Sequence, residues 1–106
     1  MPITKEGNLV TVINVFETTP EQQQELIVAW MRFAEEVKEE PGFIAAALHK
    51  STDGTRVINY AHWRSEADFG RFQNKAGGQF ERWGWHATRV DPHTYDVVYL
   101  YERADS

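Results

Sequence analysis

At 106 residues, with 42% hydrophobic and 25% charged side chains, the chain has room for one domain with one core and none for a separate cofactor domain. A net charge of −5 argues against nucleic acid or an anionic membrane as partner, and having no cysteine excludes disulfides, thiolate metal sites and a cysteine nucleophile. No apolar run reaches the roughly 18 residues of a membrane span, and the N-terminus lacks the apolar core of a signal peptide, so a cytoplasmic protein is expected.

After a polar lead to Asn8, Leu9–Phe16 reads as a strand that is mostly apolar on both faces and therefore central in its sheet. Val10, Val12, Asn14 and Phe16 share one face, with Asn14 the polar member of an apolar series. A helix begins at Thr18-Thr19-Pro20-Glu21-Gln22, where Thr19 suits the cap, Pro20 the first position and Gln22 the far side of a capping box. Leu26, Trp30, Phe33, Ala34 and Val37 form its buried stripe, Glu35, Glu36, Glu39 and Glu40 lie largely outside it, and Pro41-Gly42 ends it.

Phe43–His49 is a strand despite its alanines, and Ser51–Thr55, with the hairpin signal Asp53-Gly54, turns it into the strand Arg56–Trp63. Val57, Asn59, Ala61 and Trp63 look one way along that strand, and Ile58, Tyr60 and His62 the other. Ser65 caps a second helix with Asp68 at its third position and Phe69 and Phe72 on the buried side, and Gly77-Gly78 interrupts it. Gln79–Thr88, with Phe80, Trp83 and Trp85, reads equally as an irregular helix or a covering loop. Asp91-Pro92 marks a break before a last strand over Tyr95–Glu102, apolar on both faces.

Strand, helix, strand, strand, helix, strand is the split βαβ order of an α+β, ferredoxin-like domain, an antiparallel four-stranded sheet with both helices on one face. The first and third strands are then central neighbours, so Asn14 and Asn59 flank one cleft with Trp63. The face without helices carries Leu9, Ile13, Val15, Ile58, Tyr60, Val98 and Leu100, and an uncovered apolar face predicts a second copy packed sheet to sheet.

Each candidate also has a plainer reading. Asn14 alone in a strand suits a hydrogen-bonded core polar residue or a bulge, and Trp63 suits core. His49, His62, His86 and His93 have no metal-ligand spacing. His49 and His86 are the candidates for a general base, whereas His62 faces away from Asn59. Arg82 is a candidate clamp on a phenolate or else a solvated arginine. No dinucleotide or flavin fingerprint is present.

The layout over Leu9–Glu102, with Val57-Ile58-Asn59-Tyr60-Ala61-His62-Trp63-Arg64-Ser65 and Pro92-His93-Thr94-Tyr95-Asp96-Val97-Val98, resembles the antibiotic biosynthesis monooxygenase superfamily of dimeric α+β barrels. That resemblance implies a single such domain over residues 1–106 with a core of 9–102, and a homodimer through the helix-free sheet face. It further implies cofactor-independent oxidation of a polycyclic phenol or anthrone-like aromatic to a quinone, with molecular oxygen as co-substrate and no cofactor or metal. Asn14, Asn59 and Trp63 match the two asparagines and the tryptophan of the quinone-forming members. Haem-degrading relatives take the haem iron on a histidine of the second helix, and Glu66–Asn74 holds none. A polyketide cyclase or a binding protein without turnover on a similar barrel is the remaining alternative.

Overall fold

A computed structural model describes residues 9–76 and 86–104. The elements are β1 (Val10–Glu17), α1 (Gln23–Val37), β2 (Phe43–Lys50), β3 (Arg56–Trp63), α2 (Glu66–Ala76) and β4 (Arg89–Tyr95). They form one antiparallel sheet in the order β2-β3-β1-β4, so the expected adjacency of the first and third strands holds. Both helices pack on one face, where Val12, Phe16, Val57, Ala61 and Trp63 of the sheet meet Leu26, Trp30, Phe33 and Val37 of α1 and Phe69 and Phe72 of α2. The alternation of β1 and β3 is therefore read out literally: their helix-side residues are buried and the intervening Ile13, Val15, Ile58 and Tyr60 only partly so.

Two elements differ from the sequence reading. The fourth strand is Arg89–Tyr95, not Tyr95–Glu102. Asp91-Pro92 looked like a break, but β4 is an edge strand, where a residue with no N–H is tolerated; Pro92 lies opposite Asn14 in the ladder. The β-forming segment beyond Tyr95 makes no ladder, and Val98, Tyr99, Leu100 and Tyr101 are exposed. At the start of α1, Gln22 occupies the cap without a side-chain capping bond, and Thr19 contributes its carbonyl, which accepts from the backbone N–H of Gln22 and Gln23 at 2.9 Å each.

The α2 cap matches its reading and does more. Ser65 Oγ accepts from the Asp68 backbone N–H at 3.1 Å and donates to Asp68 Oδ2 at 2.9 Å. The same carboxylate accepts from Arg64 Nε at 3.0 Å and from Arg71 at 2.8 Å, and it sits against Gly42, whose φ is +92°. A Cβ on Gly42 would fall 2.5 Å from Asp68, so glycine is needed there for space as well as for backbone conformation. Arg64 N–H also donates to the Gly42 carbonyl at 2.7 Å, and the α1–β2 turn, the end of β3 and the start of α2 are thereby tied at one point.

Hydrogen bonds from Arg64, Arg71 and Ser65 hold the Asp68 carboxyl well below its ordinary range, at about 2. Because the folded value is the lower one, the stabilisation is complete above the ordinary carboxylate value and is lost as pH falls through about 2. Thermal melts of the wild type and Asp68→Asn should therefore show the wild type more stable at about pH 6, with the gap closing as pH falls from about 5 towards 2. A gap that stayed constant over that range would mean that the carboxylate charge contributes nothing to the clamp.

Candidate active site

Asn14 and Asn59 are direct partners in the β1–β3 ladder, both on the helix side, with side chains 6% and 8% exposed. Opposed Cβ atoms in an antiparallel pair stand about 4.5–5.5 Å apart, so the two amides share one spot on the sheet. Leu48 continues this rung on β2, and the next rung is Val12, Ala61 and Ala46. Ala61 and Ala46 leave space that a larger side chain would fill. The space is a cavity of about 340 Å³ between the sheet, α1 and α2, at the small end of the range for ligand sites.

Trp63 closes the inner end. It is 2% exposed, stacks on Phe72 with ring centroids 5.3 Å apart and an interplanar angle of 28°, and packs against Phe69 and edge-on against Phe43 at 5.5 Å each. Trp30 and Phe33 of α1 continue the aromatic wall. Asn14, Asn59 and Lys38 are the polar members of a lining that is otherwise apolar among the described residues.

Among the described residues, Asn14 Oδ1 is fully buried and has no hydrogen-bond partner. A buried acceptor left unpaired is destabilising by about 1–3 kcal/mol, and proteins pair nearly all such atoms. An unsatisfied amide facing an apolar cavity is suited to a ligand's hydroxyl or, after a half-turn about its terminal bond, to a ligand's carbonyl or oxyanion through the NH2 group.

The structure thus brings together Asn14, Asn59 and Trp63. It does not bring the histidines to them. His49 is exposed on β2 beside a shallow depression with Gln24, Ile27 and Lys50, and His86 lies outside α1, with Nδ1 3.2 Å from Gln22 Oε1 and 3.7 Å from Glu25 Oε2. Neither lines the cavity, so neither stands where a general base for a ligand in it would have to stand. His62 is buried on the other face with Nε2 3.3 Å from the Tyr60 hydroxyl. Arg82, Phe80, Trp83, Trp85 and the Gly77-Gly78 pair lie outside the described residues. Among the described residues there is no cluster of three or more histidine and carboxylate side chains that would hold a metal, and no helix long and apolar enough to cross a membrane.

Sequence reasoning missed the cavity's outer rim, made by Met31 of α1, by Lys38 at the C-cap of that helix and by Ala45 and Ala46 of β2. The signal was present in part. Three consecutive alanines, Ala45 to Ala47, are unusual in a strand that otherwise reads as half-buried, and small residues mark where a sheet leaves room.

The fold and the cavity define a ferredoxin-like domain with an internal aromatic-lined site under its helices. The family comparison is specific: the chain belongs to the antibiotic biosynthesis monooxygenase family, whose profile matches residues 9–83. Over 68 residues it is 46% identical to the tetracenomycin-F1 monooxygenase of Streptomyces glaucescens, a match that spans 63% of this chain and 61% of that protein. Among solved structures it is similar to the monooxygenase from ActVA-Orf6 of Streptomyces coelicolor in complex with nanaomycin D, with a TM-score of 0.69 and 25% identity over 92% of this chain and 93% of that one. SnoaB of Streptomyces nogalater, a cofactor-independent oxygenase, superposes with a TM-score of 0.68 over 92% of this chain and all of its own, at 18% identity, which speaks for the fold alone.

Replacing Asn14 by leucine, nearly its isostere, removes the unpaired acceptor and should raise stability in urea unfolding by about 1–2 kcal/mol. Destabilisation by that change would show instead that Asn14 is a satisfied core residue whose partners the substitution breaks.

Proposed function

We propose that the protein is a cofactor-independent monooxygenase that converts a polycyclic phenol or anthrone-like aromatic into a quinone with molecular oxygen. The observation that carries this reading is the pair of opposed buried asparagines, Asn14 and Asn59, beside Trp63 in an apolar cavity. The family membership and the similarity to a tetracenomycin-F1 monooxygenase support it.

Ground-state oxygen reacts slowly with neutral closed-shell molecules, so the substrate must first become an electron-rich anion. N–H groups of Asn14 and Asn59 donate to the substrate oxygen on which that negative charge develops, and in a dry cavity such bonds count for more than in water. Among the described residues no histidine lines the cavity, and the amides favour loss of the substrate's proton by stabilising the anion that remains. The anion passes one electron to oxygen, and the radical and superoxide combine to form a C–O bond. Protonation gives a hydroperoxide. Its O–O bond then breaks as the remaining C–H proton leaves, water departs, and the carbonyl of the quinone remains. Both oxygen atoms are accounted for, one in the product and one in water, and the substrate supplies all the electrons. Trp63 holds the ring against the amides and keeps bulk water from the reacting carbon.

Oxygen uptake by the metal-free and flavin-free protein with dithranol, followed alongside quinone absorbance, tests the reaction class. Asn59→Ala should lower turnover by about 10²–10³-fold while leaving the fold intact, the usual effect of removing one donor to a developing oxyanion. Wild-type turnover in that variant would overturn the site. Quinone formation no faster than the spontaneous reaction, with no added oxygen uptake, would favour a cyclase or a binding role for the same cavity.

We also infer that the working form is a homodimer closed over the helix-free sheet face. Ile13, Val15, Ile58 and Tyr60 are only half-buried there, and Val98, Tyr99 and Tyr101 beyond β4 are 82%, 72% and 77% exposed although the segment alternates as a strand does. Apolar exposure on this scale is suited to contact with a second copy. The double variant Val98→Asp, Leu100→Asp should run as a folded monomer in size-exclusion chromatography with light scattering, and a dimer unchanged by it would place the interface elsewhere.

A further inference from the structure

We propose that Lys38 makes the cavity selective for aromatic substrates that carry a carboxylate at the end facing out between α1 and β2. This inference rests on the reading of the cavity as the substrate site. The lining divides by exposure into an inner part, where Asn14, Asn59, Trp63 and Phe72 are all buried, and an outer part, where Met31 and Ala46 are exposed and the Lys38 side chain is 59% exposed. Met31 and Lys38 are seven residues apart and so stand on one side of α1, about 10 Å apart along it. They mark one rim of the mouth, and Lys38 is its only charged residue among the described lining.

The alkyl stem of a lysine lies readily along an apolar wall while its ammonium stays in water, which is what a residue at this rim must do. Lys38 Nζ is 3.1 Å from Glu35 Oε1, but both side chains are well exposed, at 59% and 72%. An exposed pair three residues apart on a helix is weak and readily exchanged for another carboxylate. Glu35 itself does not line the cavity, and neither do Glu36 and Glu39, which flank the lysine in sequence. Lys38 is therefore the cation that lets an anion approach a stretch of surface otherwise rich in acids.

The chemistry of the inner end decides which anion this is. The amides there face the oxygen that reacts, so a charge at the rim belongs to a second substituent. At neutral pH a phenol, with a pKa of about 10, remains protonated, whereas a carboxylic acid, near 4, is ionised. A ring carboxylate is thus the substituent that a lysine at this rim would select. It would also fix which end of a long flat substrate enters first, and hence which ring reaches Asn14 and Asn59.

Binding can be measured without turnover, through the fluorescence of Trp30 and Trp63, which both line the cavity. Wild type, Lys38→Gln, Lys38→Arg and Glu35→Gln would each be titrated with anthraquinone-2-carboxylate and with its methyl ester. The acid should bind the wild type about three- to tenfold more tightly than the ester. The preference should vanish in Lys38→Gln, persist in Lys38→Arg and grow in Glu35→Gln, where the ammonium no longer has a competing partner. Ester binding should be the same in all four proteins, which a general loss of folding would not leave so. Equal affinities in the wild type, or a preference that survives in Lys38→Gln, would overturn the role of Lys38 while leaving the cavity as an aromatic site. Binding of neither probe to any of the proteins would overturn the cavity reading and the inference together.

Discussion

The pairing of Asn14 with Asn59 across the two central strands is the constraint on which the rest of the site depends. Side chains along a strand alternate, so a slip of one residue between β1 and β3 would turn one amide to the other face of the sheet and bring a branched apolar side chain into its place. The neighbouring rungs oppose such a slip. Phe16 faces Val57 and Val12 faces Ala61, all of them buried under the helices, while Ile13 and Tyr60 form the intervening pair on the other side. The apolar pattern that folds the sheet therefore also fixes two polar groups at one point, and no separate device is needed to align them.

Holding the amides is not enough, because they become a site only if something keeps space above them and water out of it. The space comes from Ala61 and Ala46, small residues on adjacent strands, and the closure comes from the ring stack of Trp63 with Phe72 and Phe69. That stack depends on where α2 sits, and α2 is positioned by the clamp of Asp68 with Ser65, Arg64 and Arg71 against Gly42. Arg64 directly follows Trp63, so one tie anchors the end of β3 and the helix that covers it. A stability feature at the surface thus sets the position of an aromatic wall within the cavity.

Much of this was legible in the sequence because it was written in periodicity. The alternation in Leu9–Phe16 and Arg56–Trp63 placed Asn14, Asn59 and Trp63 on one face, and the order of elements made the strands neighbours. What was not legible depended on tertiary context. Asp91-Pro92 signals a break by local rules, and only the edge position of β4 makes it acceptable within a strand. Tyr95–Glu102 has the pattern of a strand, but a pattern shows that a segment suits a sheet without showing that the sheet has a place for it. The histidines were candidates by chemistry alone, and chemistry carries no address. Lys38 was invisible for the opposite reason: one lysine among four glutamates near a helix end reads as solvated surface until the mouth beside it is seen.

The balance between stability and chemistry can be argued from Asn14. A buried, unpaired amide oxygen lowers the stability of a small domain whose total margin is itself about 5–15 kcal/mol. An apolar residue of the same shape would remove that cost, in a lining that is already mostly apolar. The amide is thus poorly explained as a packing element. It is well explained if its partner arrives with a ligand, because the desolvation already incurred on folding need not be incurred again when the ligand binds or when charge develops on it. Oδ1 itself accepts from a ligand hydroxyl, and once the amide is turned about its terminal bond its NH2 group donates to an anion, with a second asparagine directly opposite to supply another donor at the same point on the sheet.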